Sequence, residues 1–182
     1  SVTLELTWSL SDSLSLKSLS NYLDYQSDTV TDLGATAVQF LGSTAVQESE
    51  HYSQELQLTW EGEQHSTLFG LYYFNEDYHS DVQILGPPVF TDVLKRPFVN
   101  FYGDLNSDSY AAYWNTTWRF NSEWALKGGL RYSADSKDDQ GFQQLPTEVP
   151  TDLARDDNWD AWTPTTTLEY TPADELMFYA TI

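Results

Sequence analysis

Four segments of this chain each hold two aromatic residues eight positions apart: Tyr52 and Trp60, Tyr110 and Trp118, Trp124 and Tyr132, Trp162 and Tyr170. Leu14 and Tyr22 make a weaker fifth pair. Successive side chains of a β-strand point to opposite faces, so an even spacing puts both rings on one face. Eight steps span roughly 26 Å, and a strand tilted by about 40° then rises roughly 20 Å. That rise is close to the apolar band of a membrane β-barrel, which carries aromatic girdles at both edges. The spacing predicts a transmembrane barrel wall.

The residues between the rings agree. On the ring-bearing face stand Gln54, Leu56 and Leu58; Ala112, Trp114 and Thr116; Leu126, Gly128 and Leu130; Pro164, Thr166 and Leu168, and none is charged. The opposite face holds Glu55, Gln57, Asn115, Lys127, Arg131 and Glu169. Arg or Lys facing lipid at the membrane midplane costs about 2–4 kcal/mol, so charges collect toward the lumen. Glu55, Tyr113, Lys127, Arg131 and Glu169 are the expected lumen-facing residues. A soluble β-sandwich also alternates, but its packed interior has no need of rings at two fixed heights.

The periodic signal divides into eight strands, at about 2–10, 14–25, 50–60, 66–78, 108–120, 124–135, 158–170 and 176–182. The run Leu68 to Phe74 alternates poorly and leaves the faces of its strand open. Short turns fall at 11–13, 61–65, 121–123 and 171–175, and long polar loops at about 26–49, 79–107 and 136–157. Short turns on one rim and long loops on the other are the habit of outer-membrane barrels. Thr7-Trp8, Thr59-Trp60 and Thr117-Trp118 each precede a short turn, which suits successive hairpins that set a Trp at one interface. The expected membrane-interface aromatics are Trp8, Tyr52, Trp60, Tyr110, Trp118, Trp124, Tyr132, Trp162 and Tyr170.

Composition narrows the function classes. The net charge is −20, from 28 acidic and 8 basic residues. Phosphate contacts need Lys and Arg, so nucleic acid is excluded as a partner. Cysteine is absent, which removes disulfides and thiolate metal sites. No run approaches the length of a transmembrane helix, and barrel strands need none. The chain opens at Ser1 without Met and breaks off at Ile182 in an alternating stretch, so a fragment of something longer is expected.

Catalytic signatures are missing: there is no Gly-x-Ser-x-Gly elbow, no phosphate-binding glycine loop and no His-Glu-x-x-His. An enzyme is not expected, nor a cofactor. His51 and His79 point to one rim and offer a weak metal pair, with His65 at the other. The acid-rich stretch with Asp135, Asp138, Asp139, Glu148, Asp152, Asp156, Asp157 and Asp160 lacks EF-hand spacing and reads as a solvated loop or a Ca²⁺ site. The apolar segment Ile84 to Phe90, followed by Pro97-Phe98-Val99, is either a contact patch or a small cluster that folds the loop. Asn115-Thr116-Thr117 matches a glycosylation sequon in an expected strand, where it is accidental.

Several of these stretches, in order, resemble one family. Tyr52 to Leu58 followed by Gly70 to Glu76, Leu126 to Asp135 with its Gly-Leu-Arg-Tyr core, and Trp162-Thr163-Pro164 with Leu168 to Tyr170 and Leu176 to Ala180 are similar to hairpins of TonB-dependent outer-membrane receptors. Leu14 to Ser18 through Asp24-Tyr25 resembles an earlier hairpin. The resemblance implies a barrel of about 22 strands closed by an N-terminal plug domain, of which residues 1–182 would supply roughly a third. It implies a Gram-negative outer-membrane location, partners in membrane lipid, the plug and a TonB complex, and uptake of a scarce nutrient such as a siderophore–iron complex. It transfers no ligand-contacting residue. Pro164, which breaks a ladder, is expected near the outer rim.

The fold expected is therefore all-β, an antiparallel up-and-down transmembrane barrel, here about eight strands of a larger one. Two alternatives remain open. One is a complete eight-stranded barrel acting as an adhesin or anchor; the other is a soluble β-sandwich binding module.

Overall fold

A computed structural model describes residues 1–34, 41–87, 97–145 and 149–182. Nine strands form one antiparallel sheet: β1 (Val2–Ser9), β2 (Leu14–Asp32), β3 (Gly42–Glu61), β4 (His65–Leu85), β5 (Val99–Arg119), β6 (Trp124–Gln144), β7 (Thr151–Asp152), β8 (Arg155–Ala173) and β9 (Leu176–Thr181). The order is β1-β2-β3-β4-β5-β6-β8-β9, with β7 paired to the far end of β6. Apart from β7, every neighbour in sequence is a neighbour in space, which is up-and-down topology. β1 and β9 are the two edges and do not pair with each other, so the sheet is not a closed eight-stranded barrel.

The sheet has no second layer among the described residues, and this removes the β-sandwich alternative. Among the described residues only Val99 and Ala111 are buried apolar side chains, and no large side chain is fully buried. Trp162, Leu71 and Tyr110 stand 64%, 60% and 55% exposed. The accessible surface is 12330 Å², against roughly 8,900 Å² for a compact monomer of this mass. Backbone pairing supplies the order here, and the apolar side chains wait for something outside the sheet to cover them.

One end carries all four tight turns. At the first, the Leu10 amide donates to the Leu14 carbonyl at 2.8 Å. At the second, the Gly62 amide donates to the His65 carbonyl at 2.7 Å. At the third, Asn121 Oδ1 accepts from the amides of Glu123 and Trp124 at 2.8 and 2.9 Å, the Asx geometry that favours Asn in turns. The fourth follows β8 at 174–175. Adjacent turns are also tied together, with the Arg119 amide donating to the Gln64 carbonyl at 2.7 Å and the Thr171 amide to the Glu123 carbonyl at 2.7 Å.

The expected long loops are mostly strand. β2 runs on to Asp32, β3 begins at Gly42, β4 reaches Leu85, β5 begins at Val99, and β6 reaches Gln144. Only 33–41, 86–98 and 145–154 connect strands at the end opposite the tight turns, apart from the two residues of β7. Polar residues on both faces hid the continuation, because alternation marks a strand only while its faces differ. Of the apolar segment, residues 88–90 lie outside the described set; Val99 is 9% exposed, and the Phe98 amide donates to the Ile84 carbonyl at 2.7 Å. The described part thus behaves as a local cluster. Glu148 also lies outside the described residues.

Candidate functional site: a wall with two faces

Antiparallel register assigns every strand residue to a face, since directly paired residues point the same way. Tyr22 pairs with Tyr52, Tyr73 with Tyr110, and Tyr132 with Trp162. These rings form one row, with centroids 4.9 Å apart in the last two pairs. Eight residues away, Trp60, His65, Trp118, Trp124 and Tyr170 form a second row next to the tight turns, joined by Trp8. Trp124 stacks on Tyr170 at 4.3 Å, and Trp60 meets His65 edge-on at 4.2 Å. All nine expected interface aromatics lie in these two rows. Tyr73 and His65 are a further pair eight apart that sequence reasoning missed, because Leu68 to Phe74 is apolar on both faces.

The rows climb in steps. Tyr52 pairs with Asn75, yet the ring of β4 is Tyr73; Tyr110 pairs with Ala134, yet the ring of β6 is Tyr132. The second row steps identically, from Thr67 to His65 and from Leu126 to Trp124. Each hairpin shifts both rows by two residues in one direction. Two residues are about 6.7 Å along the strand and two strands about 9.6 Å across it, a slope of about 35°. Strands of membrane barrels tilt by about 35–45°. The rings are level with respect to a plane that the strands cross obliquely.

Between the rows, the aromatic face carries no Asp, Glu, Lys or Arg on any strand. Its few polar groups satisfy one another. Gln54 Nε2 donates to Ser18 Oγ at 2.9 Å, Tyr52 Oη donates to Gln54 Oε1 at 3.0 Å, and Thr67 and Thr116 share a bond of 2.9 Å. Unpaired polar groups cost several kcal/mol in a hydrocarbon, so mutual pairing matches an apolar surround. Pro164 sits inside this band, paired with Leu130 and two residues from Trp162.

The other face gathers the charges. Lys17, Arg119, Lys127, Arg131, Lys137 and Arg155, all the basic residues described, are on it. Glu55, Tyr113 and Arg131 come together: the Tyr113 hydroxyl donates to Glu55, Gln57 Nε2 donates to that hydroxyl at 3.2 Å, and the Arg131 guanidinium lies 6.0 Å from the Tyr113 ring centre. Tyr113 reaches across β4 because Gly70 offers no side chain; a Cβ there would fall 1.9 Å from the Tyr113 Cζ. A strand glycine facing an aromatic residue one strand away was the available signal for this contact. Lys127 and Glu169 form a separate ion pair nearer the turns, and Lys17 pairs with Glu5 at 3.0 Å.

Beyond the upper ring row the aromatic face turns acidic, with Glu48, Glu50, Asp77, Asp104, Asp108, Asp138 and Asp156 among its residues. His79 Nδ1 donates to Asp104 Oδ1 at 2.7 Å, and the Tyr102 hydroxyl donates to Asp104 Oδ2 at 2.7 Å. These bonds, His79 foremost, hold the Asp104 carboxyl below its ordinary range, while the bond to Asp104 pushes the Tyr102 phenol up. His51 lies on the opposite face from His79, so the two imidazoles cannot share a metal. The acids at 135–139 and 156–160 are strand residues split between the faces, not one loop. Among the described residues no three metal-binding side chains converge.

A coreless single sheet with two level ring rows, and no charged side chain between them on the ring-bearing face, is the wall of a membrane β-barrel. The whole chain, residues 1–182, matches the model of the TonB dependent receptor-like β-barrel, and the protein belongs to that family. A search of curated proteins found no match to the sequence. Among solved structures, the ferric yersiniabactin uptake receptor FyuA from Yersinia pestis is 19% identical, with a TM-score of 0.83, over 98% of this chain and 26% of the receptor. The siderophore receptor PiuA from Acinetobacter baumannii is 17% identical with a TM-score of 0.68, over 98% of this chain and 31% of its own. The copper transporter OprC is also 17% identical with a TM-score of 0.68, over 98% and 28%. The chain thus spans about a quarter to a third of the structures it resembles. The family consists of outer-membrane receptors and transporters of Gram-negative bacteria, which carry a plug domain and act with TonB.

Proposed function

We propose that this chain is part of the wall of an outer-membrane receptor that imports a metal chelate, such as a siderophore–iron complex, with energy from a TonB complex. The carrying observation is the uncharged band between two ring rows on one face of a sheet that has no core. On this reading the aromatic face meets lipid, and Glu55, Tyr113, Lys127, Arg131 and Glu169 look into the lumen. The tight turns lie on the periplasmic side, and the long strand extensions stand outside the cell. The metal is cargo, and a plug domain fills the lumen between substrate-bound pulls. Solved proteins of similar shape are receptors for ferric yersiniabactin and siderophores and a copper transporter, which supports the chelate class and leaves the ligand to be identified.

Residues 1–182 hold no cysteine, so the test uses the receptor with any cysteine elsewhere replaced. Single cysteines at Leu58, Leu71 and Leu130 are expected to resist a water-soluble maleimide in intact outer membranes, and cysteines at Arg131 and Thr165 to react once the lumen is opened to the reagent. Equal labelling of both sets would overturn the assignment of faces. Loss of growth on one ferric chelate after gene deletion, restored by the intact gene, would name the cargo.

A further inference from the structure

Trp159 is the ring of β8 that the two rows leave out. It lies on the charge-bearing face, beyond the level of Trp162, and stands 45% exposed. An indole open to water there serves no membrane anchoring, and it makes no ring contact among the described residues. Register sets four charges on the same face just beyond it, with Asp157 paired to Lys137 and Arg155 to Asp139. These four, with Trp159 and Leu105, line a hollow of about 340 Å³. That is near the small end of ligand pockets and gives room for one ring. Arg155 Nη2 donates to Asp157 Oδ2 at 2.9 Å. Lys137 and Asp139 have no hydrogen bond or ion pair among the described residues. Ser107, the β5 partner of Lys137, is 6% exposed, and its hydroxyl has no partner among them either. An open donor, an open acceptor and an unused hydroxyl therefore gather beside an open indole. Asp135, the partner of Trp159, lines the adjoining hollow, which Lys137 shares.

We infer that this hollow binds one uncharged pyranose ring of a glycan or glycoside. The inference goes beyond the uptake reading and takes from it only that this face is the lumen. A pyranose presents a face of C–H bonds, weakly positive, which lies against the negative face of an indole. Its rim is made of hydroxyls, each a donor and an acceptor, and each is satisfied only where both kinds of partner are at hand. Two cations and two carboxylates supply both kinds. Two residues along a strand are about 6.7 Å, so a ring seated on Trp159 meets Asp157 and Lys137 with its hydroxyls. The balance of charge disfavours other ligands. A flat aryl group would cover the indole and leave Lys137 and Asp139 without bonds. A singly charged ligand would find as much repulsion as attraction among two cations and two anions.

The test is ligand-observed saturation-transfer NMR on the intact receptor carrying this chain, held in a detergent without sugar groups. The probes are the methyl glycosides of glucose, galactose and mannose, with glucuronic acid and glucosamine as charged counterparts. At least one neutral glycoside is expected to bind, with a Kd of about 1 mM, as suits one small ring. Trp159→Ala should weaken it about tenfold, the scale of one lost ring stack, while Trp159→Phe keeps most of the binding. Lys137→Met and Asp139→Asn should each weaken it about fivefold, the scale of one lost hydrogen bond. Folding of each variant is read from its heat-modifiable electrophoretic mobility. Failure of all three neutral glycosides to bind, or unchanged binding by folded Trp159→Ala, would overturn the proposal, as would tighter binding of either charged sugar. A thiol in Trp159→Cys that soluble maleimide cannot reach in the unliganded receptor would overturn it in favour of cover by another part of the chain. Uptake of labelled glycoside by whole cells would mark the sugar as cargo, and binding without uptake would mark it as part of a larger ligand; either upholds the site. Equal maleimide labelling of the two faces sinks the wall assignment, a result separate from loss of glycoside binding.

Discussion

At the scale of single residues, the wall is held by contacts that its glycines permit. Gly70→Ala would drive a methyl group into the Tyr113 ring, and the ring would have to leave Glu55 and Gln57. Crowding of this kind costs about 1–3 kcal/mol. Chemical unfolding in detergent should show that loss for Gly70→Ala, and a much smaller loss when Tyr113→Ala accompanies it, because neighbouring substitutions do not add. Charge placement gives a sharper contrast. Leu130→Arg places a cation in the uncharged band and should cost about 2–4 kcal/mol, while Thr165→Arg, on the other face of the neighbouring strand, should cost far less. Above the band, pH dependence has a definite sign. Asp104 has a lowered folded pKa, so its contribution is present above the ordinary carboxyl range and is lost as pH falls through the lowered value. Tyr102 has a raised pKa, so its contribution is present below the ordinary phenol range and is lost as pH rises through the raised value. The difference in melting temperature between the unaltered protein and Asp104→Asn should therefore be largest between the carboxyl and phenol ranges and shrink at both extremes.

At the scale of elements, hairpins are the repeating unit, and the turns that close them are chemically specific. Asn121→Ala removes the acceptor of two turn bonds and should lower stability by about 1–2 kcal/mol, measured by the same unfolding assay. The eight main strands were legible from the ring pairs and the alternation between them, and so were the tight turns, through their Gly, Asn, Ser and Asp residues. Strand length was not. From Asp24 to Asp32 and from Glu76 to Asp81 polar side chains occupy both faces, so nothing in the order of residues separates a solvated strand from a loop; the pairing partner decides. β4 illustrates a second blind spot. Leu68, Tyr72 and Phe74 make its charged face as apolar as the other, and their partners, Tyr113 from β5 and His51 from β3, are distant in the chain. The split of His51 from His79, and of the acids around 135–160, follows from register alone.

At the scale of the molecule, two rows of rings that step together by two residues per hairpin define a single plane cut obliquely by every strand. Infrared dichroism of the oriented, reconstituted receptor should return a strand tilt near 35–45° from the membrane normal, and a value near zero would contradict the stepped rows. The free edges at β1 and β9 present unpaired backbone groups, the configuration that drives strand-to-strand aggregation. Residues 1–182 expressed alone should therefore be recovered as insoluble sheet aggregate, detectable by sedimentation and by the amide I band. The strands do not stop at the upper rings. From Tyr110 to Val99, β5 continues for eleven residues of paired backbone, a vertical rise of roughly 30 Å at this tilt. In the orientation proposed above, this part of the wall stands stiff and tall above the bilayer. A solute moving down that wall would then travel about the depth of the membrane itself before it drew level with lipid.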